Sequence, residues 1–214
     1  MPASLRITEV FHSLQGESRP VGCRTAFVRL TGCPLRCVYC DTAYAFHGGQ
    51  RVSLTEILER VAAFEVHHVC VTGGEPLAQP ACLDLLAALC DAGYQVSLET
   101  SGALDIAAVD RRVMVVLDLK TPASGECERN LWTNLPYLKA QDQIKFVICD
   151  RSDYEWARDQ LGAQGLVARC EVLFSPAWGQ QPARALADWI LADRLPVRLQ
   201  VQLHKYLWGD VPGH

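Results

Sequence analysis

Apolar residues recur along the chain in two rhythms. Short runs rich in Val, Leu and Ile occupy residues 25–30, 68–72, 95–99, 113–118, 143–148, 168–174 and 198–203. They are too short for helices and predict strands. Stretches with an amphipathic period occupy 54–64, 81–92, 153–162 and 183–195 and predict helices. The first helix opens on Ser53-Leu-Thr-Glu56, the spacing of a capping box, in which the serine oxygen takes a free N–H and the glutamate reaches back. Gly93 follows the second helix, where a residue of positive φ is favoured. An extended piece at 6–10 predicts a further edge. Heptads, low-complexity tracts and Ser/Gly linkers are lacking.

Strand–helix alternation implies βαβ units, a parallel sheet and right-handed crossovers. A complete (β/α)8 barrel takes about 250 residues. This chain has 214, and spends many of them before and within a cysteine-bearing loop. The expectation is therefore one α/β domain over 1–214: an incomplete, open (β/α) barrel of about six or seven mostly parallel strands. Its ligand site would lie at the carboxyl ends of the strands.

Composition narrows the chemistry. Half the residues are hydrophobic and 21% are charged, enough apolar surface for a real core. A net charge of −4 argues against a general nucleic-acid binder. Nothing approaches a membrane span, and Met1 to Val10, carrying Arg6 and Glu9, does not read as a secretory leader. A cytoplasmic protein is expected, so its 10 cysteines do not suggest a disulfide scaffold. Cys70, Cys82, Cys90, Cys127, Cys149 and Cys170 are scattered and read mostly as small core residues. Cys23, in a Gly-flanked loop, reads as an unused thiol.

Cys33, Cys37 and Cys40 are different. They stand as C-x3-C-x2-C in Leu30-Thr-Gly-Cys33-Pro-Leu-Arg-Cys37-Val-Tyr-Cys40-Asp-Thr42, directly after a predicted strand. Three thiolates on one loop can bind three irons of a [4Fe–4S] cluster and leave the fourth open to a ligand. Arg36 and loop N–H groups would temper the cluster's charge. Structural zinc would want four ligands, with His12, His47 or Cys23 as the missing one, and a redox C-x-x-C would not need Cys33.

The triplet, with Tyr39 before its last cysteine, resembles the signature of the radical S-adenosylmethionine (SAM) superfamily. Thr72-Gly73-Gly74-Glu75-Pro76 at the end of the next predicted strand fits the same resemblance, in which the strand end holds the SAM amino group and glycines allow close backbone approach. Phe11-His-Ser-Leu14-Gln15-Gly16-Glu17, Arg29, Cys40-Asp-Thr42, Glu99-Thr-Ser-Gly102, Asp118-Leu-Lys120 and Gln202-Leu-His204-Lys205-Tyr206 together look like the 7-carboxy-7-deazaguanine synthase family, over nearly the whole chain.

That resemblance implies a lyase that contracts 6-carboxy-5,6,7,8-tetrahydropterin to 7-carboxy-7-deazaguanine and ammonia. It implies a [4Fe–4S] cluster on Cys33, Cys37 and Cys40, catalytic use of SAM, and Mg2+ at Thr42, since Mg2+ prefers oxygen ligands. SAM would lie along Tyr39, Cys40, Asp41, Gly74, Asp118, Leu119, Lys120, Ser175, Pro176, Ala177 and Trp178. The pterin would meet Leu14, Gln15, Gly16, Glu17, Thr72, Glu99, His204 and Pro212. Arg29 would take the substrate carboxylate, or else pair with Asp41 as a strand-edge charge. A homodimer, an electron donor such as flavodoxin or ferredoxin, and a C-terminal tail closing the site are further implications. Two departures stand out: Ser18 replaces the family's glycine, and the tail beyond Tyr206 runs longer than the common ending. A glycyl-radical activase is the second enzyme reading, and a zinc-stabilised interaction module the non-enzymatic one.

Overall fold

In the computed structural model, which describes residues 3–211 and 213, one sheet organises the molecule. Its strands are β1 (Ser4–Leu14), β2 (Arg24–Leu30), β3 (Gln50–Ser53), β4 (His68–Gly73), β5 (Gln95–Thr100), β6 (Met114–Leu119), β7 (Gln143–Ile148), β8 (Glu171–Pro176) and β9 (Arg198–Leu199). The order is β3-β1-β2-β4-β5-β6-β7-β8-β9, and the sheet does not close. From β2 to β9 every pairing is parallel, so seven strands form the expected open α/β barrel. The other two, β1 and β3, join antiparallel.

The crossovers are α1 (Leu54–Ala62), α2 (Cys82–Asp91), α3 (Arg151–Ala163) and α4 (Ala183–Ala192). Ser53 caps α1, its Oγ accepting from the Glu56 N–H at 3.2 Å. The second half of the expected box is replaced: the Glu56 carboxylate takes Arg60 one turn on, at 2.5 Å. Gly93 stops α2 with φ 89, as expected. Among the described residues no helix is long and apolar enough to cross a membrane.

Period-two alternation divides the parallel strands into two faces. Val69 and Val71, Val96 and Leu98, Leu117 and Leu119, and Ile144, Phe146 and Ile148 point into one core under the helices. Each such side chain contributes about 1.5–3 kcal/mol by leaving water. The alternate positions, Arg29, Thr72, Glu99, Asp118 and Lys145, face the other way, into a cavity.

Three elements differ from the sequence reading. The piece expected at 6–10 is an eleven-residue strand and not the edge, because the polar tetrapeptide β3 pairs outside it. The run at 168–174 starts pairing only at Glu171, since Leu166–Ala168 makes a tight turn after Gly165 at φ 60. The run at 198–203 pairs only at Arg198–Leu199, and Leu203–Trp208 is a helix, α5. Alternation of Leu199, Val201 and Leu203 suggested a strand. Instead, after the Gln200 N–H bonds the Phe174 carbonyl, the Leu203 N–H turns to the Gly16 carbonyl at 3.0 Å.

Cys70, Cys82 and Cys170 are core residues as expected, whereas Cys90, Cys127 and Cys149 are half-buried; all ten cysteines are free. Pro212 lies outside the described residues.

Candidate active site

The cavity, ≈ 460 Å³, opens at the carboxyl ends of the parallel strands and is floored by their polar face. The loop 33–42 forms one wall, the Gln15–Glu17 turn another, and α5 closes over both. Gathering these segments is a matter of backbone fit. The N–H groups of Gly74 and Glu75 bond the carbonyls of Leu30 and Gly32 at 3.1 and 2.8 Å. A Cβ on Gly74 would lie 2.2 Å from the Gly32 oxygen. The glycine pair thus lets the β4 end pass against the cysteine loop, a close approach that the sequence alone suggests only toward a ligand. Glu75, fully buried, fastens the next turn: its carboxylate accepts from the Leu77 and Ser101 N–H groups and from the Thr100 and Ser101 hydroxyls, at 2.6–3.0 Å.

Cys33, Cys37 and Cys40 all line the cavity. Burial raises the Cys33 thiol and pushes Cys37 up to about 11. Such thiols become thiolates when a metal displaces their protons. Among the described residues no three His, Cys, Asp or Glu side chains are grouped as ligands of a single metal ion. The triplet is instead strung along one loop, and an iron–sulfur cluster is itself an extended body. Beside it, the Tyr39 hydroxyl is buried without a hydrogen-bond partner. Lys120 stands 5.8 Å from the Tyr39 ring centroid and 3.1 Å from Asp118. Three sulfur donors, an orphaned phenol and a buried ion pair on one wall fit a cluster with an amino-acid-like ligand beside it. Thr42 also lines the cavity, its Oγ1 3.8 Å from Cys40 Sγ, at hand for a hard cation.

Arg29 does not pair with Asp41. Its Nε donates to Glu9 Oε1 at 2.6 Å, and its guanidinium lies 5.7 Å from the Phe11 ring and 5.8 Å from the Tyr44 ring. Tyr44 also donates to Glu9, at 2.8 Å. With Nε taken, the terminal N–H fork is the part of Arg29 that can receive a planar anion. Glu99, across the floor, accepts from Thr72 Oγ1 at 3.2 Å and from Gln15 Nε2 at 3.5 Å. Its pKa is raised by desolvation and by Glu17, against Lys145 and Arg29.

Glu17 is the most heavily bonded acid in the cavity. It accepts from Lys145 Nζ at 2.9 Å, Gln202 Nε2 at 2.8 Å and Gln200 Nε2 at 3.2 Å. Ser18, next to it, adopts φ 62, a left-handed conformation in which glycine is least strained. Its N–H bonds Gln200 at 2.5 Å and its hydroxyl the Glu17 carbonyl at 2.6 Å, which offsets the strain of the departure. His204 covers Gly16, where a Cβ would fall 2.0 Å from Nδ1. Burial lowers the His204 pKa, so the ring is neutral at pH 7. Lys205 links Asp41 and Asp210, each at 3.0 Å. Desolvation raises Asp41, but Lys205 and Gln202 outweigh it and hold the carboxylate low.

Most residues singled out in the sequence therefore meet in one cavity, including Ser175, Pro176, Ala177 and Trp178 at the β8 end. Leu14 and Leu119 do not line it. Leu119 lies on the core face of β6, opposite Asp118 and Lys120, and could offer only backbone. Sequence reading missed Lys145, Glu9 and Tyr44, and did not give Gln200 or Lys205 a role.

Comparison with known proteins matches this picture. Residues 27–121 match the model of the Radical SAM superfamily. The chain is 46% identical over 210 residues to the 7-carboxy-7-deazaguanine synthase of Chlorobaculum tepidum, covering 97% of this chain and 96% of that one. It is 42% identical over 220 residues to the enzyme of the same name from Koribacter versatilis, covering 95% and 97%. Its fold is similar to that in the crystal structure of QueE from Escherichia coli, with a TM-score of 0.77 at 22% identity over 94% of this chain and 95% of that one.

Proposed function

Because the chain belongs to the 7-carboxy-7-deazaguanine synthase family of radical SAM enzymes, we propose that its cavity contracts 6-carboxy-5,6,7,8-tetrahydropterin to 7-carboxy-7-deazaguanine and ammonia. A [4Fe–4S] cluster and SAM, held in the cavity, would supply the radical chemistry that starts the reaction by hydrogen-atom removal from the substrate. The relatives do not favour a glycyl-radical activase or a zinc-stabilised module.

The chain's own residues bind, orient and exclude water. Cys33, Cys37 and Cys40 would hold the cluster. Tyr39, Cys40, Asp41, Gly74, Asp118 and Lys120, with Ser175 to Trp178, form the SAM side of the cavity. Arg29, fixed through Nε by Glu9, presents its terminal fork to the substrate carboxylate. Glu17 and Glu99 accept from the N–H groups of the pterin, and Gln15, Gly16 and Thr72 lie against it. Neutral His204 closes the pocket over Gly16. Thr42 would offer its hydroxyl to Mg2+, a hard cation that takes oxygen ligands. A homodimeric assembly and a one-electron donor such as flavodoxin or ferredoxin complete this reading.

One observation carries it: Arg29, the buried carboxylate of Glu17 and the half-buried one of Glu99 line the same cavity as three free thiols. The test is anaerobic incubation of the iron-reconstituted protein with the pterin, SAM and dithionite, followed by mass spectrometry. A product lighter than substrate by one ammonia is expected. Unchanged pterin in the presence of an intact cluster would overturn the assignment.

A further inference from the structure

Lys145 is the one charged residue in the strand Gln143-Ile-Lys-Phe-Val-Ile148. Its neighbours Ile144 and Phe146 are core, and its own side chain is 11% exposed. It stands directly across the ladder from Asp118, with Nζ 3.3 Å from Asp118 Oδ2 and 2.9 Å from Glu17 Oε2. Asp118 in turn meets Lys120 at 3.1 Å. Four alternating charges, Lys120, Asp118, Lys145 and Glu17, therefore cross the cavity floor from the cysteine side to the pterin side. Glu99 adds a third carboxylate within the field of Lys145.

Two carboxylates in one desolvated pocket do not ionise together without a compensating cation. Arg29 is not that cation for Glu17: Glu9 holds its Nε, and the buried carboxylate within its field is Glu99. Lys120 is spent on Asp118. The two amides on Glu17, Gln200 and Gln202, bring hydrogen bonds without charge. His204 is neutral. Lys205 is held between Asp41 and Asp210, so the positive group that meets Glu17 is Lys145.

We propose that Lys145 is a positioning residue of the pterin subsite: its ammonium aims Glu17 at the substrate and supplies the charge that lets Glu17 and Glu99 share one closed pocket as acceptors for an N–H-rich ligand edge. A pterin presents several N–H donors on one side, and two carboxylates offer the acceptors to match them. This inference rests on the pterin reading of the site and deepens it.

The experiment uses the cluster-reconstituted, SAM-bound protein without reductant, so that nothing turns over, and 6-carboxypterin as the binding probe. Lys145→Met weakens probe binding about tenfold or more at pH 7.5. The deficit widens as pH falls toward 6.0: desolvation raises the Glu99 carboxyl and Lys145 opposes that rise, so without the ammonium Glu99 takes its proton, and stops accepting, at a higher pH than in the wild type. With dithionite and the tetrahydropterin, KM rises while kcat changes less than about threefold. Should Lys145→Met fail to melt cooperatively, Lys145→Gln keeps a donor toward Glu17 without the charge and carries the same expectation. Wild-type affinity in the variant, a deficit independent of pH, or a fall in kcat at constant KM would each overturn the role of Lys145. Failure of the wild-type protein to bind 6-carboxypterin would overturn the pterin reading instead.

Discussion

Gly74→Ala asks whether the second glycine after β4 serves the cysteine loop. Its Cβ would lie 2.2 Å from the Gly32 oxygen, 2.6 Å from the Gly32 carbonyl carbon and 2.8 Å from Cys33 Cβ. Two of these are backbone atoms and the third roots the first cysteine of the triplet, so no rotamer change relieves the overlap. Ordinary carbon contacts sit at about 3.5 Å, so the loop must retreat by roughly 1 Å. Overpacking of this kind costs about 1–3 kcal/mol. Losing the Glu75 N–H to Gly32 bond, now 2.8 Å, adds about 1 kcal/mol. Against a typical stability of about 5–15 kcal/mol the variant still folds. A functional constellation tolerates only about 0.5 Å, however, so cluster assembly suffers more than folding. Iron content and visible absorbance after anaerobic reconstitution, with a thermal melt alongside, should show a cooperative melt and well under half the wild-type iron. Gly93→Ala is the control: it meets open space at φ 89, costs about 1 kcal/mol and leaves iron unchanged. Full iron incorporation in Gly74→Ala would refute the packing argument.

Three further outcomes follow from the geometry. Glu75→Ala strands the buried donors of Thr100 and Ser101 and should cost about 3–5 kcal/mol in urea denaturation, with Glu75→Gln milder; a loss below 1 kcal/mol would count against it. Arg29→Lys keeps a charge but loses the fork and the Glu9 contact, and steady-state kinetics should show KM for the carboxylated pterin about 10–100-fold higher; an unchanged KM speaks against the assignment. His204 and His68 have pKa values lowered by burial, so as pH falls below ~6.5 the unfolded chain takes up their protons before the folded one does. Stability should therefore fall as pH drops from 7.5 to 5.5. The fall should be smaller in a His68→Gln/His204→Gln variant, and equal slopes in the two urea titrations would contradict it.

Much of this was legible because apolar runs such as Val69–Val71 and Val115–Leu117 are long enough to mark buried parallel strands, and because the cysteine spacing is specific. β3 was not, since Gln50-Arg-Val-Ser53 is polar and extends only because β1 offers an unpaired edge. α5 was not, since Leu199, Val201 and Leu203 alternate like a strand, whereas a tertiary bond to Gly16 sets the chain's course. Lys145 left a faint signal, a charge on the alternate face of an otherwise apolar strand. Its partners, Glu17 and Asp118, lie far away in sequence, so only the folded sheet shows what the charge meets. Likewise Arg29 could be read as an anion-binding fork, but its Glu9 clamp depends on the antiparallel register of β1 and β2, which puts the two directly opposite.

That a loop with three thiols leaves one cluster iron open to SAM is tested most directly by metal analysis and electron paramagnetic resonance of the reduced, reconstituted protein with and without SAM. About four irons per chain and a cluster spectrum that changes on SAM addition are expected. A single zinc, or an iron–sulfur spectrum indifferent to SAM, would contradict it.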